Sequence, residues 1–195
     1  MTSLILYFAP GSSSMAAHIA LHEVVAPFEA RPVSLARKEQ RRGDFLALNT
    51  EGKVPTLLID GRPLTEVAGI LFYLARRFPA AGLLPADVPE TEARAISWMS
   101  FSASTLHPAR SRGLEYAAPV YAIADARLGA REWVLGAYSI ADIHLFRLYW
   151  RFVNSLKPAP GTFPNLARHH DRMLARPAVQ RTLAVEAAVG YEFPA

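Results

Sequence analysis

The sequence predicts a small mixed α/β domain over residues 1–80, a linker over 81–89 and an all-α helical domain over 90–195. Three observations carry this expectation. An apolar strand, a Gly/Ser turn, a helix and a second strand follow one another within the first 33 residues; a hairpin and an apolar helix follow before Pro79. Beyond Pro89 the apolar residues recur only at helical spacing.

Leu4 to Phe8 is a continuous apolar run, as expected of a strand buried on both faces. Pro10-Gly11 breaks it, Ser12, Ser13 and Ser14 follow, and 15–24 reads as a helix with Met15, Ile19 and Ala20 on one face. A second strand over 28–33 completes a βαβ unit, whose right-handed crossover makes the two strands parallel. Strand, Gly/Ser turn and helix N-terminus form a natural anion site, because unpaired N–H groups and the helix dipole point the same way. Thr56 to Ile59 is a third strand, Asp60-Gly61 a type I′ hairpin signal, and Leu64 closes a fourth strand. Thr65 is expected to cap a helix carrying Glu66 in its first turn and Val67, Ile70, Leu71 and Leu74 on one face. Pro55, lacking a backbone donor, suits the first residue of a strand. If the Val54-Pro55 bond is cis, the N–H and C=O of Val54 turn outward and can pair with an extended peptide; spacing alone does not decide the isomer.

In the second half, 90–107 carries Ala93, Ile96, Met99, Ala103 and Leu106 at spacings of three and four. Pro108 should kink or end that helix. A second helix is expected over 119–128. Ser139 and Asp142 then form a capping box, with Tyr138 placed to pack on Ile143 as a staple. The helix they open is apolar nearly all round and so is expected at the centre of the domain, with its cap contributing about 0.5–2 kcal/mol. Arg168, Arg172 and Arg176, with His169 and His170, read as a solvated basic stripe.

Composition excludes several classes. There is no cysteine, which removes disulfides, cysteine zinc sites and any Cys-x-x-Cys redox pair, and with it a thioredoxin-type disulfide reductase. The net charge is +4 with pI near 9.6, but the one dense basic cluster, 37–42, lacks aromatic residues to stack bases, so no nucleic-acid partner is expected. No apolar run has the length of a membrane helix, and 4–9 lacks the basic leader and length of a signal peptide; a cytoplasmic protein is expected. His18 and His22 could face one metal, yet no third ligand accompanies them, so packing is the expectation and no metal is.

A Val-Pro opening a hairpin, followed by Leu64-Thr65-Glu66 and an apolar helix, resembles the glutathione-binding half of cytosolic glutathione transferases, closest to bacterial beta- and theta-like members. The Ser-x-x-Asp box opening the core helix is a further feature of that family, so the resemblance spans nearly the whole chain. It implies a thioredoxin-like first domain, glutathione as co-substrate, a homodimer, and a helical domain holding a small hydrophobic electrophile. The chemistry suits a chain without cysteine, because the thiol arrives with the ligand. A free thiol has a pKa near 8.5, and one hydrogen bond to its charged form, about 1.5–3 kcal/mol, lowers that by one to two units. The thiolate is the nucleophile.

By resemblance the activating residue is Ser12 or Ser13, with Tyr7 matching that of a third branch. Val54 would pair through its backbone with the cysteinyl part of glutathione, Glu66 would hold the γ-glutamyl ammonium, and the N–H of Val67 would hold the carboxylate beside it. Lys53 and Lys38 would meet the glycine carboxylate, and His107 would face the electrophile. Two features depart from the pattern. Val67 stands where many members carry serine, losing a contact of about 0.5–1.5 kcal/mol. The segment between His107 and Tyr138 is shorter than the family's helix pair by roughly two or three turns. The alternative to an enzyme is a non-catalytic binding or interaction protein of the same fold.

Overall fold

Four short strands, β1 (Leu4–Phe8), β2 (Glu29–Pro32), β3 (Thr56–Ile59) and β4 (Arg62–Thr65), form one mixed sheet in the order β2-β1-β3-β4. The computed structural model describes residues 2–85 and 88–191; 86 and 87 of the expected linker, and 192–195 of the expected helical domain, lie outside them. β1 runs parallel to β2, as expected of a strand-helix-strand crossover, and antiparallel to β3. Asp60 and Gly61 both have positive φ, as a type I′ turn between β3 and β4 demands.

The register places the site. Tyr7 of β1 lies opposite Thr56 of β3, which lies opposite Thr65 of β4. The end of β1, the start of β3 and the end of β4 therefore share one edge of the sheet. From that edge the chain leaves into the serine turn, arrives through Val54-Pro55, and leaves again at Glu66.

Nine α-helices accompany the sheet among the described residues: α1 (Ser14–Glu23), α2 (Gly43–Leu48), α3 (Val67–Arg77), α4 (Pro89–Phe101), α5 (His107–Arg110), α6 (Leu114–Leu128), α7 (Ile140–Leu156), α8 (Pro164–Leu174) and α9 (Pro177–Val189). The chain divides into two compact units, one of 2–78 with 177–191 and one of 79–176. The expectation of a single helical domain over 90–195 is revised accordingly. α9 is helical, but its buried stripe of Ala178, Val179, Thr182 and Glu186 packs on α1. This accounts for the burial of α1 on every side from Ser14 to Leu21, where the sequence marks only one apolar face.

One local expectation also changes, and a second takes a specific form. Thr65 does not cap α3: it is held in the β4 ladder opposite Thr56, and Glu66 takes the N-cap with φ +65° and ψ +130°. That conformation is sparsely populated for a residue with a side chain and costs on the order of 1–3 kcal/mol. Pro108, expected to kink or end its helix, follows an interruption of the regular α-helix. Ser102–Leu106 is wound as a π-helix between α4 and α5, and the wider turn takes up the proline at the second position of α5.

In the helical unit α7 is buried from Ile140 to Phe152, as expected of the central helix. Leu83 and Leu84 of the expected linker are buried, and the Leu83 carbonyl accepts from the N–H of Ile140 (2.8 Å), so this stretch is fastened to the start of α7. The Asp125 carboxylate of α6 accepts from the N–H groups of Asn165 and Leu166 (both 2.9 Å), capping α8 from a neighbouring helix. Tyr138 stacks edge-on to Trp133 (5.0 Å) with the Arg176 guanidinium 3.5 Å from its ring centroid. The basic stripe of α8 is not a solvated face throughout: His169 is fully buried against Asp142, since α8 buries Leu166, His169 and Met173 at helical spacing. No helix of the described residues is long and apolar enough to cross a membrane.

Candidate functional site

The three serines after Gly11 have different roles. Gly11 has φ +70°, a conformation that glycine adopts at no steric cost, and it turns the chain out of β1. The Ser12 N–H then donates to the Ala9 carbonyl (3.0 Å). Ser14 Oγ accepts from the Ala9 N–H (3.0 Å) and lies 3.1 Å from the Ala9 carbonyl and 2.8 Å from Ser12 Oγ. Ser14 thus fastens the turn. Ser13 occupies the N-cap of α1 in the right-handed helical region (φ −59°, ψ −23°), and its side chain makes no capping bond. A capping hydroxyl needs extended backbone at that position. Freed from capping, Ser13 Oγ donates to the Val54 carbonyl at 3.4 Å. Two stretches 41 residues apart in sequence, the serine turn and the Val-Pro turn, are joined by this bond.

The Val54-Pro55 peptide is cis. The turn leading to it is built on buried Asn49, whose Nδ2 donates to the Lys53 carbonyl (2.9 Å) and to Thr56 Oγ1 (3.0 Å). Asn49 went unnoticed in the sequence; its signal is an Asn-x-x-Gly turn just before the strand. Gly52 has φ +59°, and a Cβ there would lie 2.8 Å from both Arg41 Nη1 and the Gln40 carbonyl. Gly52→Ala is expected to cost about 1–3 kcal/mol in a urea titration, from the left-handed backbone and the clash with a fixed carbonyl. A loss below the error of that titration would show that the turn relaxes freely.

Glu66 is exposed at the start of α3, and Val67 follows with its side chain buried. No side-chain capping bond occupies that helix start, which lies at the positive end of the helix dipole. Through the Tyr7–Thr56–Thr65 register, Ser12, Ser13, Val54, Glu66 and Val67 converge on one sheet edge.

The lysines and Tyr7 stand differently. The Lys53 ammonium pairs with Glu51 (3.2 Å) at an exposed position, an interaction worth about 0–1 kcal/mol and easily exchanged. Lys38 is exposed with φ +53° and opens the turn Glu39–Arg41. That loop is anchored by the Glu39 carboxylate, which accepts from the Ser34 N–H (2.8 Å) and from Arg37 (3.0 Å); the two bonds hold its pKa below the usual carboxylate range. The Tyr7 hydroxyl accepts from Arg31 Nη1 (2.9 Å) and its ring meets Phe45 edge-on. Tyr7 lines a cavity of about 290 Å³ with Phe45, Leu48 and Arg42, and neither Ser12 nor Ser13 is among the lining residues.

His107 belongs to the other unit, where it opens α5 half-buried and lies close enough to His144 to lower the pKa of that ring. His18 and His22 stack at 5.2 Å, and His18 Nδ1 meets Glu186 Oε1 at 3.1 Å. Among the described residues no group of three or more His, Cys, Asp or Glu is placed to hold a metal ion.

The fold agrees with what comparison with known proteins shows. The profile of the glutathione S-transferase N-terminal domain matches residues 2–76, and that of the C-terminal domain matches residues 96–177. Glutathione S-transferase GstA of Escherichia coli O157:H7 is 32% identical over 197 residues, covering 93% of this chain and 98% of that protein. Disulfide-bond oxidoreductase YfcG of Escherichia coli (strain K12) is 26% identical, covering 96% of this chain and 97% of that one. A sphingomonad glutathione S-transferase solved in complex with glutathione has a TM-score of 0.83 at 35% identity, covering 94% of this chain and 98% of the other. With both domain profiles in order and a 32% identical relative along nearly its full length, the chain belongs to the glutathione S-transferase family.

Proposed function

We propose that the protein is a glutathione transferase that binds glutathione along the sheet edge described above and ionises its thiol with a hydroxyl of the serine turn. The observation that carries this reading is the 3.4 Å contact of Ser13 Oγ with the Val54 carbonyl. A bond of that length is weak. When the cysteinyl N–H of glutathione takes the Val54 carbonyl, the Ser13 hydroxyl is released beside the arriving sulfur. Binding thus delivers the donor to the thiol, which loses its proton to solvent and attacks the electrophile. Ser12, one residue earlier on the same turn, is the alternative donor; Tyr7, engaged by Arg31, ranks behind both.

In this proposal Glu66 and the N–H of Val67 receive the γ-glutamyl ammonium and carboxylate, and Lys53 and Lys38 meet the glycine carboxylate. His107 faces a small hydrophobic electrophile, and the working form is a homodimer, which sedimentation reads directly. Catalysis is positioning plus a lowered thiol pKa, with no metal called on. A thiolate made this way serves addition and thiol–disulfide exchange alike. The lack of cysteine therefore excludes only redox chemistry by the chain's own thiols, and the likeness to YfcG keeps exchange with bound glutathione within the proposal. A second reading, binding without turnover, is favoured by Val67, whose buried apolar side chain adds no contact to the ligand carboxylate.

The test is a titration of the thiolate absorbance of bound glutathione. Ser12→Ala or Ser13→Ala should raise the bound thiol's pKa by about one unit or more, with about a fivefold loss of thiolate at neutral pH from a thiol otherwise about half ionised there. Unchanged titration in both variants would retire the serine assignment. Saturable binding without turnover of any electrophile or disulfide would establish the second reading, and absence of binding at millimolar glutathione would end both.

A further inference from the structure

We propose that a cavity in the helical unit, between α4, the end of α6 and the stretch 134–136, is a binding site for a phosphate monoester, held as a dianion by Arg94, Arg127 and Arg131. The cavity measures about 300 Å³ and lies wholly within the unit of 79–176. It shares no lining residue with the sheet edge and does not include His107, so the inference stands apart from the proposed function.

Three arginines line this cavity and no acidic side chain does. The Arg127 guanidinium lies 4.1 Å from the centroid of the Trp98 ring and 5.2 Å from that of Phe101, and its Nη2 donates to Ser97 Oγ (2.9 Å). Its place is therefore set by aromatic faces and a hydroxyl, with no carboxylate involved. Arg131, just beyond α6, donates through Nη2 to the Arg127 carbonyl. Both bonds end on neutral oxygens, and each guanidinium has further N–H donors to give. Arg94 pairs with Glu90 (2.6 Å), but at exposed positions, where such a pair is weak and easily exchanged. A staple between α4 and α6 accounts for Arg127 alone; it does not account for two further guanidiniums around the same space.

The charge balance selects the ligand. With Glu90 set against Arg94, the charges of Arg127 and Arg131 have no counter-charge among the described residues. Desolvation, and then the charge of Arg131, lower the Arg127 pKa, as expected of neighbouring cations with no anion between them. Two such charges call for a dianion. A phosphate monoester is close to one at neutral pH, and its oxygens match the planar guanidinium fork. Val134 and Leu135 add an apolar wall, which gives the ester's organic group its place. That wall is fixed before any ligand arrives. The Val134 N–H donates to Asp142 Oδ1 (2.8 Å), the Gly136 N–H to the Trp133 carbonyl (3.0 Å), and Arg172 Nη2 to the Glu132 carbonyl (2.7 Å). A preformed site loses little ordering entropy on binding.

The test is calorimetry and amide NMR on the whole chain with phenyl phosphate as the probe. Saturable binding is expected at millimolar probe or below, with the largest shifts at the amides of Ser97 and Gly136. Methyl phenyl phosphate, the same body with a single charge, should bind at least about tenfold more weakly. Arg131→Gln, at an exposed position, should weaken phenyl phosphate by about tenfold, and Arg127→Gln by at least as much. Should Arg127→Gln unsettle the contact of α6 with α4, Arg94→Gln, also exposed, replaces it with a loss of severalfold. Equal affinity for the two probes overturns the assignment of a dianion. Unchanged affinity in the arginine variants overturns the site, as does absence of saturation, or shifts at Ser13 and Val67 in place of Ser97 and Gly136. If the expected binding is found in a chain that does not bind glutathione, the proposed function falls and the anion site stands.

Discussion

Asp142→Ala is expected to cost about 3–5 kcal/mol of unfolding free energy, well beyond the loss of an ordinary helix cap. The carboxylate does far more than complete the capping box. Oδ2 accepts from the Ser139 N–H (2.9 Å) and Ser139 Oγ (3.0 Å), while Oδ1 accepts from the Val134 N–H (2.8 Å) and meets His169 Nε2 (3.0 Å). All of these groups are buried, so truncation leaves two backbone donors, a hydroxyl and an imidazole without water to replace the lost acceptor. Ser139→Ala removes one hydroxyl and should cost only about 0.5–2 kcal/mol. Urea titration of both variants checks the ordering. A double-mutant cycle with His169→Ala should show coupling above about 0.5 kcal/mol, because the two side chains share one network. Equal losses for Ser139→Ala and Asp142→Ala would mean that the network adds nothing to the cap.

Elements whose signals are local were legible in the sequence. The I′ turn at Asp60-Gly61, the apolar run of β1 and the Ser139/Asp142 box each depend on residues within a few positions of one another, and each stands where it was expected. What escaped depends on distant partners. Thr65 has the chemistry of a cap, but the ladder claims it first, and Glu66 is left in the strained position. His169 sits between two arginines that read as a wet face, and only Asp142, 27 residues earlier, makes it a core residue. Glu186 is the clearest miss. Its spacing from Val179 and Thr182 puts a carboxylate on the apolar stripe of a helix, a signal that was available, but Gly11 and His18 are invisible as its partners until α9 is docked. The site divides the same way. The serine turn and the Val-Pro turn are each readable alone, and the bond between Ser13 and Val54 exists only in the fold.

Acidification should destabilise the protein through His144, and removing that ring should remove the effect. His144 lies fully buried on α7; desolvation first, and then the positive charge of Arg147 and His107, push its pKa down to about 3. Its Nδ1 has no hydrogen-bond partner among the described residues. An unfolded histidine takes up its proton near pH 6.5, while the folded ring refuses it until about pH 3. Between those values the unfolded state binds more protons, so stability is complete above pH 6.5 and falls as the pH drops, by about 1.4 kcal/mol per unit for one such group. At pH 5 the loss is about 2 kcal/mol. His22, lowered to about 4 mainly by desolvation, works in the same direction, but it is only half-buried and solvent reduces its share. His144→Leu conserves volume and carries no proton. Against wild type its urea-derived stability should differ little at pH 7 and exceed it by about 2 kcal/mol at pH 5. Parallel pH dependence of the two proteins would mean that the ring is reached by water, and that burial of α7 does not govern the acid response.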